Sequence, residues 1–536
     1  MSNFLIRNAR VVDGTGAPAF TADVRIANGR ITAIGDSLTA YGSVVDAGGR
    51  YLAPGFIDAH CHDDLICLRE PDRIEKIMQG VTSLVVGNCS FSLYPTVPGS
   101  ADYLRQHFAT LLGEIGDDEV FDSFAAYRDA MHTKGISLNV ISLVGHAALR
   151  LAVLGYDDRP ATADERARMQ QLLDRQLADG AFGLSLGLVY PPSAYADTDE
   201  LQALAQTTGA RAKILAAHVR SYESQLIESI DEFLDLLEIS KAPGLLSHLQ
   251  AAGRPNWGKI PKAIAQLEAA NARGVDVSFD MYPYLAGSSY MLQLVPPGMH
   301  AGGVQVLIAA LHTNEGLAEL RRSIEDPNAP WISKVAIIGW GNVRISGTSN
   351  PALKKFEGLD MQQAADQEGA EPFDFMVRMI LEDEGQTTIV MFQLDKDDLR
   401  AACTHDLHMV GSDGLPRPGT KPHPRAFGTF PRVAGRLRRD EHWFSLPDAV
   451  RRMTSVAARR FGLKDRGGIA PGMVADLVLF DETIEDRATF DDPSQLPAGI
   501  ETVWVAGQTV VDKGQPTGAR PGRVLTGLPD ILYQRE

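Results

Sequence analysis

The sequence has little cysteine, an excess of negative charge and no long hydrophobic run. Four cysteines in 536 residues are too few for a disulfide scaffold, so we expect reduced thiols or metal ligands. The 51 basic residues face 68 acidic ones, and the net charge of -17 argues against a nucleic-acid partner. The first stretch, MSNFLIRNARVVDGTG, alternates like a strand. We therefore expect no signal peptide, no membrane span and a cytoplasmic protein.

The two ends of the chain share a β-rich character. Residues 1–54 contain short strand-like runs separated by Gly and Asn-Gly turns. Residues 466–536 contain similar runs, among them ADLVLF and TVWVAGQTVV. Because the termini of one domain often lie close together, we predict a small β-sandwich domain built from both segments.

Residues 55–465 alternate apolar runs with amphipathic helical segments. One of these segments opens at Thr162, with Glu165 three residues on, which is a capping-box pattern. With the run that ends at His60 there are eight runs, most of them followed by a helical pattern. This order predicts an α/β fold with a (β/α)8 TIM barrel as the catalytic domain. The other seven runs are TSLVVG (82–87), SLNVISLVG (137–145), AFGLSLG (181–187), AKILAAH (212–218), PGLLSH (243–248), VDVSFD (275–280) and HMVGSD (408–413).

One segment does not fit the barrel count. Residues 284–345 are rich in Gly, Pro and aromatic residues, and we predict that they form an inserted lid. VAIIGW (335–340) and TTIVMF (387–392) are also strand-like. The sequence therefore leaves the numbering of the barrel strands open.

Potential metal ligands stand at the ends of most of these runs, where a TIM barrel carries its active site. Side chains at i and i+2 of a strand share a face, so His60 and His62 point the same way. Cys61 points to the opposite face and is expected to pack as a thiol. Asp58 could orient an imidazole from behind. The residues found at strand ends are His60, His62, Cys89, His146, His218, His248 and Asp413.

Each of these residues has a plainer interpretation on its own. A lone HxH pair is a weak signal, a single strand-end histidine is usually a satisfied core residue, and an apolar cysteine is usually inert packing. The combination at successive strand ends favours a metal site. Imidazoles, a thiolate and a carboxylate suit Zn²⁺ better than Co²⁺, Mn²⁺ or Ni²⁺. A catalytic zinc lowers the pKa of its water to about 7, and a nearby aspartate can take the proton and pass it to a leaving amine.

The run Pro54–His62 together with the tail GMVADLVLF resembles the amidohydrolase superfamily. Within it, the chain is most similar to the D-aminoacylase (N-acyl-D-amino-acid deacylase) group, and the likeness spans nearly the whole sequence. The cysteine after the second strand is its most specific feature. The stretches that carry the likeness are GVTSLVVGNCSFSLYP (80–95), AFGLSLGLVYPPSAYADTDEL (181–201), AAHVRSYES (216–224), SHLQAAGRPNWGK (247–259), FDMYPYLAGSS (279–289), VGSDG (410–414) and MTSVAARRFGLKDRGGIAPGMVADLVLFD (453–481).

The resemblance implies a role for each matching position. Cys89, His218 and His248 would hold a tightly bound zinc. His60 and His62 would form a second, weaker position, with Cys89 bridging and Asp413 adjacent. Asp413 would act as the general base and then as the acid. The substrate contacts implied by the resemblance are Tyr190, Tyr282 and Ser288, and the implied lid is residues 284–345.

One position departs from the group, in which a lysine usually stands two residues after the sixth-strand histidine and helps to hold the substrate carboxylate. Here that residue is Gln250, and a neutral amide cannot supply a charge-assisted contact. Another cation could compensate, the candidates being Arg220, Arg254 and Arg344. Alternatively, the substrate is not an ordinary N-acyl amino acid, or the change is neutral drift.

These observations leave three functional hypotheses. The first is a zinc-dependent hydrolase of a linear C–N amide bond, such as that of an N-acyl-D-amino acid, working by metal-hydroxide attack. The second is a metal-dependent hydrolase of another amide, a lactam, a carbamate or an ester, and Gln250 motivates it. The third is an inactive barrel used as a binding module. The expected partner is a small-molecule substrate, and the sequence leaves the acyl group, the metal count and the oligomeric state open.

Overall fold

The structure, a computed structural model, describes residues 3–40, 42–326, 329 and 331–527. The outermost ends of the predicted terminal segments, 1–2 and 528–536, lie outside these residues. The strands are β1 Phe4–Val11, β2 Phe20–Ala27, β3 Arg30–Gly35, β4 Ser43–Asp46, β5 Tyr51–Pro54, β6 Phe56–Asp58, β7 Val81–Val86, β8 Asn139–Ser142, β9 Val144–Gly145, β10 Gly183–Gly187, β11 Ile214–His218, β12 Gly244–Leu246, β13 Val277–Met281, β14 Ala286–Tyr290, β15 Val343–Gly347, β16 Thr388–Phe392, β17 His408–Val410, β18 Leu477–Glu485, β19 Ala498–Val505, β20 Gln508–Asp512 and β21 Gln515–Pro516.

Helices follow most of the barrel strands and fill the insertion. The capping box predicted at Thr162 is present. The Thr162 hydroxyl accepts a hydrogen bond from the Glu165 amide, and the Glu165 carboxylate accepts one from the Thr162 amide. The α-helices are α1 Ile66–Arg69, α2 Ile74–Ile77, α3 Ala101–Leu112, α4 Phe124–Lys134, α5 His146–Val153, α6 Ala163–Ala178, α7 Thr198–Ala210, α8 Leu226–Ser240, α9 Ile260–Ala272, α10 Val304–Leu311, α11 Asn314–Glu325, α12 Lys334–Ile338, α13 Met361–Glu368, α14 Pro372–Glu382, α15 Lys396–Thr404, α16 Arg425–Arg432, α17 Leu446–Met453 and α18 Ser455–Arg460.

The eight predicted runs form a parallel barrel. Strands β6, β7 and β8 pair in order, and β9, β10, β11, β12, β13 and β17 continue the series. Strands β8 and β9 are one strand interrupted at Leu143. The barrel closes between its first and last strands, where the Ala59 amide donates to the Val410 carbonyl at 3.2 Å. Strand ends that are far apart in sequence therefore meet at one rim.

The insertion is longer than the predicted segment 284–345. Between β13 and β17 it contains an antiparallel sheet in the order β14-β16-β15, so the unit reaches at least to Phe392. TTIVMF is therefore a strand of the insertion and not of the barrel. The strand suggested for VAIIGW is wrong. Its first residues lie in helix α12, because the Ser333 hydroxyl caps the Ala336 amide and Gly339 ends the helix at a φ of 80°.

The strands of both chain ends form one nine-stranded sheet, not two hydrogen-bonded sheets. The order is β21-β20-β19-β18-β5-β1-β2-β3, with β4 added to β1. The first half of β1 pairs with β4 and its second half with β5, so the sheet divides there. Phe4 of β1 stacks on Trp504 of β19, three strands away, at 5.7 Å between ring centroids. Strands that are three apart in this one sheet therefore approach each other across its apolar face, and the two-layered sandwich stays a prediction.

No helix within the described part of the chain is long and apolar enough to cross a membrane.

Candidate active site

Six of the predicted ligands meet at the carboxyl end of the barrel. His60 and His62 follow β6, Cys89 follows β7, His218 ends β11, His248 follows β12, and Asp413 follows β17; all are at most 7% exposed. Cys61 lies behind its strand, as the alternation predicts, and its thiol donates to the Val85 carbonyl at 3.3 Å. One short rim therefore gathers side chains from five different strands.

Cys89 is at the centre of this group. Its Sγ lies 3.3 Å from His60 Nε2 and 3.4 Å from His248 Nε2. The ring of His218 lies 4.6 Å from that of His248. On the other side, Asp413 Oδ1 lies 3.2 Å from His62 Nε2 and 3.5 Å from His60 Nε2. The donor atoms thus converge on a small buried volume.

Three of these residues have a left-handed backbone. The φ angles are 51° at Cys89, 35° at His248 and 48° at Asp413, a region that side chains with a Cβ rarely occupy. Hydrogen bonds hold two of them there: the His248 amide donates to Asp280 Oδ1 at 3.0 Å, and the Asp413 amide donates to the His60 carbonyl at 2.7 Å. The surrounding structure imposes these conformations to aim the side chains inward.

A carboxylate that the sequence analysis did not single out supports the histidines. Asp280, on β13, accepts from His60 Nδ1 at 3.2 Å with one oxygen and from the His248 amide with the other. The role suggested for Asp58 is wrong: its carboxylate binds Lys76 Nζ at 2.8 Å and the Ser412 hydroxyl at 2.6 Å. The sequence could have indicated Asp280, because it is the last residue of the apolar run VDVSFD and therefore stands at a strand end like the other site residues.

The charges of the site are mutually stabilised. Burial alone would raise the pKa of the Cys89 thiol, but His60 and His248 outweigh it and hold the pKa well below its ordinary value. Burial likewise disfavours the carboxylate of Asp413, yet Arg425, 2.8 Å from Oδ2, leads the groups that hold this pKa well below its usual range. Burial lowers the pKa of His218 to about 4, which keeps its imidazole neutral. Burial disfavours the charged forms of His60 and His62, but Asp280 raises the pKa of the first well above its ordinary value and Asp413 raises that of the second to about 9. Side chains bind metals as thiolate, carboxylate and neutral imidazole, so these two rings would release a proton when a metal binds.

These donors fit a metal of the zinc type. Two sets have their ligand atoms within 4.8 Å of one another, namely His60 with Cys89 and His248, and His60 with His62 and Asp413. A thiolate and imidazoles are the donors that zinc prefers, and carboxylates also bind it. Because one imidazole nitrogen binds a single ion, His60 can serve only one of two adjoining positions at a time.

The remaining predicted residues separate into those that face the cavity and those that do not. A cavity of about 40 Å³ lies over the ligands, and Tyr190, Arg220, Gln250, Tyr282 and Ser288 line it. Lys334, from α12, also lines it and was not predicted, because nothing in its local sequence marks it.

Three predicted candidates lie elsewhere. Arg344 is turned toward the C-terminal segment, where it pairs with Asp491 at 3.1 Å, so it does not line the cavity. Arg254 is exposed and stacks over Trp257. His146, which we noted at the third strand end, lies 2.7 Å from Glu200 in a buried cluster and outside the two metal-competent sets. For Arg344 and His146 a partner distant in sequence determines where the side chain points, whereas for Arg254 the partner is three residues away.

The comparisons with known proteins agree with this geometry. Residues 43–282 and 336–511 match the Amidohydrolase family. A D-aminoacylase from Alcaligenes xylosoxydans xylosoxydans is 35% identical in sequence to this chain, and the alignment covers 98% of this chain and 97% of the D-aminoacylase. The crystal structure of N-acyl-D-glutamate deacylase from Bordetella bronchiseptica, complexed with zinc and a phosphonate inhibitor, has a TM-score of 0.83 and 32% identity over 98% of this chain and 99% of that one. A D-aminoacylase studied for its binuclear metal center has a TM-score of 0.81 and 33% identity, covering 98% and 100% of the chains.

A parallel barrel with imidazoles, a thiol and a carboxylate at its carboxyl rim defines an enzyme of the metal-dependent hydrolase type. The chain belongs to the amidohydrolase family. The relatives that match it over nearly its whole length at 32–36% identity include a D-aminoacylase and N-acyl-D-glutamate deacylases.

Proposed function

We propose that this chain is a zinc-dependent hydrolase that cleaves the linear C–N amide bond of an N-acyl-D-amino acid or a similar N-acyl compound. The observation that carries the proposal is the convergence of Cys89, the four histidines and Asp413 beneath one cavity. The names of the relatives, D-aminoacylase and N-acyl-D-glutamate deacylase, support the same bond and the same stereochemistry.

We assign the metal ligands as follows. Cys89, His218 and His248 would hold the tightly bound zinc. His60 and His62 would form a second, weaker position beside Asp413, and the Cys89 thiolate would be shared. The contact of Cys89 with His248, whose ring lies 4.6 Å from that of His218, supports the first position, and the contact of Cys89 with His60 supports a shared thiolate. The one-metal activation and second-metal attenuation described for the related D-aminoacylase are consistent with unequal positions.

The zinc, when bound, polarises the amide carbonyl and lowers the pKa of a water molecule. Asp413 is the group that moves the proton: Arg425 holds its Oδ2, and Oδ1, which faces the metal-ligating imidazoles of His60 and His62, takes a proton from the attacking water and returns it to the leaving amine. Tyr190 and Tyr282, with Ser288, position the substrate from the cavity wall. Burial of these groups excludes bulk water from the reacting atoms.

The decisive experiment is the variant Asp413→Asn. We expect turnover of N-acyl-D-amino acids to be lost while zinc remains bound at the Cys89 position, because Asp413 is not one of the three ligands assigned there. Zinc content is measured by elemental analysis and hydrolysis by release of free amine. Near-wild-type activity in a zinc-loaded Asp413→Asn protein contradicts the mechanism.

The second candidate function keeps the metal chemistry and changes the bond to a lactam, a carbamate, an ester or another amide. The observation that favours it is Gln250, which lies in the cavity and is uncharged. A panel of N-acyl-D- and N-acyl-L-amino acids, neutral amides and lactams, run with added zinc and with chelator, separates the two. Strong D-specific cleavage of acyl amino acids excludes this candidate. A protein that purifies without stoichiometric metal would instead favour a binding module.

The proposal includes a small-molecule substrate and the cytoplasmic location expected from the sequence. The domain limits of the sequence analysis, 1–54 with 466–536 and 55–465, also stay predictions.

A further inference from the structure

A second chamber opens from the cavity over the ligands. The inner chamber is the cavity described above, and the outer chamber has a volume of about 190 Å³. The outer chamber has an apolar wall formed by Leu292, Val295, Pro297, Trp331 and Ile332. The charged residues that border both chambers are Arg220, Glu223 and Lys334. A substrate that extends away from the ligands must pass these side chains.

Lys334 is held at this junction by a fixed carboxylate. Its Nζ pairs with Glu223 Oε1, and the two side chains are 13% and 14% exposed. The other oxygen, Glu223 Oε2, accepts from the Ser221 hydroxyl at 3.1 Å and from the Tyr222 amide at 3.2 Å. An ammonium group has three donors, and Glu223 is its only partner among the described residues, so two donors of this chamber-lining side chain are left without a protein acceptor there.

Arg220, the other cation at the junction, has each of its three nitrogens bonded to the protein, which uses three of its five N–H donors. Its Nε bonds to both oxygens of Glu232 at 2.9 Å, and its two terminal nitrogens bond to the carbonyls of Ala194 and Ala196. These contacts fix the loop after β10. Of the arginine and lysine side chains that the described residues contribute to the two chambers, Arg220 has every nitrogen bonded and is held by both oxygens of Glu232, whereas Lys334 has one hydrogen-bond partner, Glu223.

Lys334 is also close to the loop that carries Gln250. Helix α12 packs on this loop so tightly that a Cβ at Gly253 would lie 2.1 Å from Ile337 Cγ2. Gln250 accepts a hydrogen bond from the Tyr282 hydroxyl at 3.0 Å, so its carbonyl is already used and it brings no charge. The loop and the helix together supply one neutral donor and one cation to the inner chamber.

We propose that Lys334 recognises a carboxylate of the substrate and thereby supplies the positive charge that Gln250 lacks. The inference rests on the proposed amide hydrolysis, and it names the substrate class as N-acyl compounds that carry a carboxylate near the scissile bond. Lys334 is then a specificity-determining residue contributed by the insertion, not by a barrel strand. Glu223 is the positioning residue that keeps the ammonium at the junction.

The test compares an N-acetyl-D-amino acid with the N-acetylamine that lacks only its carboxylate. The variants are Lys334→Met and, as a matched control, Lys259→Met, because Lys259 bonds to the Glu223 backbone carbonyl at 3.2 Å but lines neither chamber. We expect Lys334→Met to lower kcat/KM for the carboxylate substrate about 10- to 100-fold, mainly through KM. The N-acetylamine should change less than about threefold, as should both substrates in the control.

Binding is measured separately in the Asp413→Asn background by titration calorimetry with the N-acetyl-D-amino acid. We expect Lys334→Met to weaken this binding about 10- to 100-fold, and Gln250→Lys, added to it, to restore most of the loss. Equal losses for the carboxylate and the neutral compound, or no loss, overturn the inference. If the protein binds the carboxylate compound in a Lys334-dependent way but does not hydrolyse it, the proposed reaction is overturned and the role of Lys334 in binding is retained.

Discussion

Replacing Asp280 with asparagine should weaken metal binding although Asp280 is not itself among the assigned ligands. The carboxylate accepts two hydrogen bonds, one from His60 Nδ1 at 3.2 Å and one from the His248 amide at 3.0 Å. The first bond holds a proton on Nδ1, so that Nε2, 3.3 Å from Cys89 Sγ, is the nitrogen that would lose its proton and present a lone pair to a metal. An asparagine has one oxygen and one amino group, so it can satisfy only one of the two donors.

Either orientation of the asparagine therefore disturbs one ligand. If the amino group faces His60, the ring proton moves to Nε2 and blocks the lone pair; if it faces His248, a buried amide loses its acceptor. Loss of such an outer partner typically costs 10- to 100-fold in metal affinity, or about 1.4–2.8 kcal/mol.

The assay is competition for zinc against a chelator of known affinity, with folding checked by circular dichroism. Asp276→Asn is the matched control, because Asp276 precedes the same strand, has a 66% exposed side chain and pairs with Arg460. A folded Asp280→Asn protein that binds zinc within about threefold of the wild type would refute the reasoning.

Two other predictions test the site and its support. Lys76→Met removes a fully buried ammonium that lies 2.8 Å from Asp58. Because the Asp58 carboxylate then lacks its cation, we expect the free energy of unfolding, measured by urea denaturation, to fall by about 3–5 kcal/mol. A loss under about 1 kcal/mol would contradict this reasoning. Cys89→Ser should lose most of the bound zinc whereas Cys61→Ser should retain it, measured by elemental analysis, because only Cys89 directs its sulfur toward the imidazoles. Equal zinc content in the two serine variants would argue against Cys89 as a ligand.

The sequence predicted the barrel well because its signals are local. Apolar runs of strand length alternate with helical patterns, and a capping box such as that of Thr162 and Glu165 is formed by residues three apart. The convergence at the rim also follows from local information, since the last residue of each run points to the same end once the strands are parallel. His60, His62 and Cys89 needed no tertiary knowledge beyond that rule.

The failures involve partners distant in sequence. Arg344 is drawn away from the cavity by Asp491, 147 residues later. Asp58 is engaged by Lys76 and by Ser412, and the carboxylate that does support His60 is Asp280, 220 residues away. No periodicity or spacing contains these pairings. The length of the insertion was underestimated for the same reason, because β16 is assigned by the strands it pairs with.

The left-handed backbone at Cys89, His248 and Asp413 lowers the stability of the fold at the positions that supply the metal-binding atoms. Glycine adopts such φ values without steric cost, whereas each non-glycine residue held there costs on the order of 1–3 kcal/mol. A glycine at any of these positions would relax the chain and delete a donor atom in the same step. Substitutions chosen for stability alone at these positions would therefore favour variants that lack a metal ligand.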